Sequence, residues 1–210
     1  MAQRRTNVYV DGFNLYYGCL KDTPYRWLDI AALCRLAVPG CDIHRIKVFT
    51  ARVAGSALDP SKPDRQAAYL RALRSTPLLT IHFGYFQQTR VRMATVTPPP
   101  ATVEVWKTEE KGSDVNLAAH LLADGFRNDY ESALVLLNDA DLAEPIRMVK
   151  GLLRMPVTVL HPIRSGRARS VELRKVATAS VVIEPAWLAA SQFPPVLRDS
   201  IGVIHKPASW

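Results

Sequence analysis

The chain has 210 residues and a mass of 23.4 kDa, and with 48% hydrophobic and 22% charged residues it can bury a core, which excludes intrinsic disorder as its main description. No apolar run approaches the roughly 18 residues of a membrane helix, so no membrane partner is expected, and three cysteines (Cys19, Cys34, Cys41) are too few and too odd in number for a disulfide framework. The net charge of +8 is uneven, with 18 basic against 16 acidic residues in 1–149 and 9 against 3 in 150–210, a balance that suits a polyanion such as nucleic acid or serves solubility alone.

The first predicted element is a strand at Asn7–Val10, ending at Asp11. The apolar stretch is too short for a signal peptide, and with the cysteine usage it predicts a reducing, cytoplasmic setting. Gly12 to Gly18 reads as a turn into a helix. A second strand is predicted at Arg45–Val53, a loop at Gly55–Pro63, and a helix at Arg65–Arg74 that Pro77 stops. Leu78–Phe83 predicts a third strand. Thr97–Ala101 holds three prolines and cannot lie in a central strand. Its flanks, Thr89–Thr95 and Thr102–Trp106, alternate like strands, so this region is either a hairpin arm or one long loop. A helix capped by Ser113 is predicted to run to Gly125. A strand at Ser132–Leu137, a helix at Ala143–Leu153 and a strand at Val157–Leu160 follow. Residues 132–137 lack alternation, as a parallel strand covered on both faces does. Strands alternating with helices imply an α/β fold around a parallel sheet. The domain is expected at 1–163. Residues 164–210, basic and then rich in Pro and aromatics, are expected as a tail that packs on the domain or a partner. A homodimer through that aromatic tail is compatible with the sequence.

The acids fall where such a sheet binds ligands, at the carboxyl ends of its strands. Asp11 ends the first strand, Asp139 and Asp141 follow the strand at 132–137, and Asp114 opens a helix. An Asp at a strand end is more often a cap than a ligand. Three such segments delivering carboxylates to one edge favour a metal site instead, because close carboxylates repel and a divalent cation removes that cost. Mg²⁺ or Mn²⁺ fits an all-oxygen donor set.

Three strings carry a family resemblance. Val8-Tyr9-Val10-Asp11-Gly12-Phe13-Asn14-Leu15-Tyr16 resembles the opening motif of NYN domains, relatives of the PIN-domain nucleases. Lys111-Gly112-Ser113-Asp114-Val115-Asn116-Leu117-Ala118 resembles the second motif, and Asn138-Asp139-Ala140-Asp141-Leu142 the third. The order is right, and the 190–194 segment is similar to that of bacterial members. The resemblance implies a PIN-like, three-layer α/β fold and a metal-dependent ribonuclease. Asp11, Asp114, Asp139 and Asp141 match the acidic positions, holding Mg²⁺ or Mn²⁺, and Asn14 matches the supporting polar residue. Two positions depart from the pattern: Asn138 replaces a small residue, and His120 stands where many members carry an acid. Asp124, one turn further on, could partly substitute.

The expected partner is RNA, single-stranded or structured. Candidate contacts are Lys111, Tyr16, Arg90, Arg92, Arg164 and Arg167, each of which has solvated charge or core packing as its ordinary alternative. Two other functions fit the same residues: a non-catalytic RNA-binding or scaffold protein that keeps the fold, and a phosphatase of haloacid-dehalogenase type.

Overall fold

The computed structural model describes residues 3–164 and 166–210. Strand β1 (Arg5–Asp11) passes directly into a short helix α1 (Gly12–Leu15), which widens into an i→i+5 turn over Tyr16–Leu20. Then come α2 (Ile30–Ala37), β2 (Asp42–Thr50), α3 (Lys62–Arg74) and β3 (Leu79–Phe83). An antiparallel arm, β4 (Tyr85–Ala94) and β5 (Thr102–Lys111), leads to α4 (Ser113–Phe126) and β6 (Ser132–Leu136). A single 3-10 turn (Ala140–Leu142), α5 (Ala143–Leu152) and β7 (Val157–His161) follow. The chain ends with α6 (Val171–Val176), β8 (Ala179–Val182), α7 (Pro185–Ala190), β9 (Val196–Asp199) and β10 (Gly202–His205).

Six strands form one parallel sheet in the order β3-β2-β1-β6-β7-β8. Val8 stands beside Ile46 on one side and Leu134 on the other. Both faces are covered. Val8, Val10, Leu134 and Leu136 enter a core under α2, α3 and α7, while Tyr9, Ala133 and Val135 enter the core under α4, α5 and α6. This is the reason strand 132–137 shows no alternation: each face meets helices, so each residue is apolar. Each large side chain so buried contributes about 1.5–3 kcal/mol.

Three expectations are corrected in detail. Helix α4 starts after Gly112, not with a Ser113 cap; Ser113 is the first helical residue and its hydroxyl donates to Glu110 Oε1 at 2.8 Å. The proline-flanking region is a hairpin arm whose strands extend further toward the domain than the alternation indicated. Asp124 does not substitute for a missing acid. It is buried, 2.6 Å from Lys47 Nζ, and accepts from the Tyr9 hydroxyl at 2.7 Å.

Residues 164–210, expected as a tail, contribute β8 to the sheet beside β7 and Leu173 and Val176 to the second core. Further on, the Trp27 indole donates to the Pro194 carbonyl at 2.9 Å and packs against Phe193 and Trp210.

Candidate functional site

The strand order reverses between β1 and β6, which opens a crevice at their carboxyl ends. Asp11 is the last residue of β1, and Asp139 follows β6 by three residues. Asp11 caps α1: its Oδ1 accepts from the Phe13 and Asn14 amides, both at 2.9 Å, and its Oδ2 accepts from Asn14 Nδ2 at 2.8 Å. Asp139 Oδ1 caps the 3-10 turn through the Asp141 amide at 3.0 Å. Asp114 sits in the first turn of α4. Local capping chemistry thus holds two of the carboxylates.

The four acids act on one another. Burial pushes the Asp114 carboxyl up to about 6, and the charges of Asp11, Asp139, Glu110 and Asp141 add to that rise. Burial also raises Asp11, against its hydrogen bonds to Asn14 and Phe13 and with a contribution from Asp139. Among the described residues no Lys or Arg forms an ion pair with any of these four acids. Glu110, whose place in the sequence suggests an exposed residue, is partly buried at the base of β5, and its charge reaches Asp114. Gly84 permits this, since a Cβ there would lie 2.2 Å from Glu110 Oε1.

The donor chemistry fits a hard divalent cation, since every charged donor is a carboxylate oxygen and Asp114 has no hydrogen bond among the described residues easing its charge. Among the described residues no group of three or more His, Cys, Asp or Glu side chains closes tightly enough to cage an ion. Mg²⁺ does not need such a cage; it keeps several waters and takes one or two carboxylates plus substrate oxygens.

Behind the acids runs a chain of buried polar contacts. Asn14 Oδ1 accepts from the Asn138 amide at 3.1 Å. Asn138 Oδ1 lies 2.7 Å from His161 Nδ1 and accepts from the Ser170 amide at 2.9 Å. Since that oxygen only accepts, His161 carries its proton on Nδ1, and Nε2 accepts from the Ser180 hydroxyl at 2.8 Å. Burial drives the His161 ring down to about 4, and Arg169 and Arg174 push the same way. The departure at Asn138 therefore has a use: it ties β6, α1, β7 and the start of α6 together. His161 went unnoticed in the sequence; its signal is a polar residue at the carboxyl end of a core strand.

Beside the acids, a cavity of about 410 Å³ lies between Asn14, Tyr17, Asn138 and Arg167, and none of the four carboxylates lines it. It adjoins a wider groove of about 980 Å³ bordered by Arg164, Arg167, Arg169 and Arg174. The remaining predicted contacts are scattered. Lys111 pairs with Glu109 at 3.2 Å and lies on the arm face opposite Glu110. Arg90 and Arg92 share the face of Phe86 and Glu110, and Phe86 packs 5.7 Å from Phe13. Arg164 donates to the Lys21 carbonyl. Tyr16 is half-buried and lines a cavity that none of the four acids borders, whereas its neighbour Tyr17 is exposed and stacks on Phe13. Gly18 makes the close approach of this turn to β7 possible: a Cβ there would lie 1.8 Å from the Pro162 carbonyl oxygen.

Fold and site together define a doubly wound parallel α/β protein with its carboxylates gathered at the switch point. The sequence profile of the NYN domain matches residues 5–184, and the chain belongs to that family, which is one of PIN-like nucleases. It is 32% identical to the 6-hydroxy-3-succinoylpyridine 3-monooxygenase HspA of Pseudomonas putida (strain DSM 28022 / S16), over 98% of this chain and 75% of that protein. Among solved structures, a protein of unknown function, VPA0982 of Vibrio parahaemolyticus RIMD 2210633, matches with a TM-score of 0.57 at 16% identity. That match covers 88% of this chain and 95% of the other, and it is a likeness of fold. Among the described residues no helix is long and apolar enough to cross a membrane.

Proposed function

We propose that the protein is a metal-dependent endoribonuclease. The observation that carries this reading is the placement of Asp11, Asp139 and Asp141 near enough to Asp114 for their charges to raise its carboxyl, with no basic side chain among the described residues paired to any of the four. These four residues would hold Mg²⁺ or Mn²⁺, which when bound would supply an activated water and charge neutralisation at a phosphodiester. Asn14 fixes the Asp11 carboxylate through Nδ2 and is itself fixed by the Asn138 amide, so the first acid keeps one orientation. Arg167 borders the cavity lined by Asn14 and Asn138, the residues that hold Asp11 in place, and suits the phosphate backbone, with Arg164 along the groove. Arg90 and Arg92 extend that basic track onto the arm. The three cysteines are free, which supports a reducing, cytoplasmic setting.

The test is cleavage of end-labelled single-stranded RNA in Mn²⁺, in Mg²⁺ and in EDTA, with Asp114→Asn alongside. Metal-dependent cleavage that the variant loses supports the reading. A melting curve supplies an independent readout: Mn²⁺ raises the native melting temperature, and by less in Asp114→Asn, while in EDTA the variant melts higher because one repelling charge is gone. No cleavage together with an unchanged melting curve in Mn²⁺ refutes it, and RNA binding that survives would then favour a non-catalytic binding role.

A second reading rests on the 32% identity to a pyridine monooxygenase over nearly the whole chain. In that reading the fold hydroxylates a small aromatic acid. Oxygen uptake dependent on that pyridine and on a two-electron donor separates it from the nuclease.

A further inference from the structure

On the other flank of α1 from the acid crevice lies a cavity of about 400 Å³, within the range of roughly 300–1,000 Å³ typical of small-molecule sites. It opens between α1, α3 and the carboxyl end of β2, and none of the four site carboxylates lines it. Leu15, Val48 and Leu70 form an apolar floor, and Tyr16, Tyr69 and Trp210 supply aromatic walls. Tyr69 is held by donating its hydroxyl to the Leu28 carbonyl at 2.9 Å, and its ring centroid lies 5.8 Å from that of Trp210. The Arg26 guanidinium sits 5.6 Å over the Trp210 ring and donates to the Thr23 and Ser209 carbonyls, which fixes that wall.

The rim is basic. Lys62, Arg65, Gln66 and Tyr69 fall on one face of α3, at i, i+3, i+4 and i+7. Arg65 pairs with Asp59, whereas Lys62 forms no ion pair among the described residues. The Tyr16 hydroxyl has no hydrogen-bond partner among the described residues. Its acidity is lowered by burial and by the neighbouring Tyr17 and Asp22, and partly restored by the charges of Arg26 and Arg65. A half-buried phenol, two further aromatic walls and an ammonium without an ion pair among the described residues line one cavity. Flat π surfaces recognise flat rings, and the cations recognise an anion at the ring's edge.

We propose that this cavity binds a small planar aromatic ring bearing an anionic group, with the ring between Tyr16 and Trp210 and the anion at Lys62 and Arg65. Such chemistry comes from a mononucleotide unit or from a free aromatic acid. The test titrates the native protein in EDTA with adenosine 5′-monophosphate and, separately, with pyridine-3-carboxylate, by calorimetry and thermal shift. One of the two binds with a Kd at or below about 1 mM and raises the melting temperature by a few degrees at tenfold excess over Kd. Lys62→Met weakens binding several-fold, and Val53→Trp, which puts an indole into the cavity, abolishes it. Competition by single-stranded RNA assigns the site to a nucleotide of a nucleic acid; binding indifferent to RNA assigns it to a free small molecule. Failure of both probes to bind the native protein, or binding that neither variant alters, overturns the proposal. Because Lys62 lies at the rim and EDTA removes divalent metal, the result stands apart from that of the RNA cleavage test.

Discussion

The neutral state of His161 follows from where its two nitrogens point. Nδ1 donates to Asn138, Nε2 accepts from Ser180, the ring is fully buried, and the nearest charges, Arg169 and Arg174, are positive. Its folded pKa of about 4 lies below the ordinary 6.5, so between those values the unfolded chain binds more protons. Stability from this residue is therefore complete above about pH 6.5 and is lost as pH falls toward 4, an effect on the order of 3 kcal/mol. Urea midpoints of the native protein and His161→Gln should differ most at pH 7.5, with the gap narrowing by pH 4.5. A gap that stays constant would mean that the ring is not held neutral. The residue scale is also where sequence reasoning reached furthest and then stopped. Asp11, Asp114, Asp139 and Asp141 were legible because strand ends and helix starts are written in short strings. Asp124 misled because helical spacing reports the turn but not the partner, and Lys47 arrives from a strand some 77 positions away. Glu110 read as exposed and His161 was invisible for the same reason, since only the arm and the sheet bring them to the site.

At the scale of elements, amphipathic pattern and chain topology had different visibility. Strands β1, β2, β3, β6 and β7 were legible as short apolar runs, and helices α3, α4 and α5 because they bury apolar residues at helical spacing. Helix α2 was not. It has eight residues and rests on the Asp29 cap, which accepts from the Ala31 and Ala32 amides at 2.9 and 3.1 Å. The arm showed its alternation, but its length was hidden by the polar run Gln87-Gln88 and by Lys107-Thr108-Glu109, which backbone pairing alone keeps extended. No residue of β4 or β5 belongs to either core. Gly84 and Gly112 bracket the arm, and a Cβ on Gly112 would come within 3.7 Å of the Gly84 Cα, so the arm leaves and rejoins the domain at one point. Replacing 85–111 by a two-residue Gly-Ser link should leave the far-ultraviolet circular dichroism of the domain and a cooperative melt. In the full chain, Arg90→Gln with Arg92→Gln should lower the salt slope of RNA binding by about 2, one per phosphate contact removed. An arm-less protein that binds RNA with an unchanged slope would remove the arm from the nucleic-acid track.

For the whole molecule, the question is where the folding unit ends. Sequence periodicity faded after His161 because β8 has four residues and α6 and α7 have six each, too short to print a period. Charge filled the gap with a tail. Yet β8 shields the edge of β7, Leu173 is fully buried against the second core, and Leu188, Phe193 and Ile204 close the first. Removing 164–210 would expose the ladder of β7, an apolar central strand turned into an edge, together with the faces of Trp27 and Val157. Arg71, which forks onto both Asp199 oxygens at 2.6 and 2.7 Å, would lose that partner. Marginal stability leaves no room for losses of this size, since whole domains hold about 5–15 kcal/mol. A fragment of residues 1–163 should therefore be insoluble or molten, with bound dye fluorescence and no cooperative melt, whereas a fragment of 1–206, which keeps every strand, should melt cooperatively at a lower temperature than the full chain. A cooperative melt from 1–163 would show that the basic segment is an appendage. A molten 1–163 would instead mean that the arginines bordering the groove are carried by the same folding unit as the acids, so the nucleic-acid track and the carboxylates form or fail together.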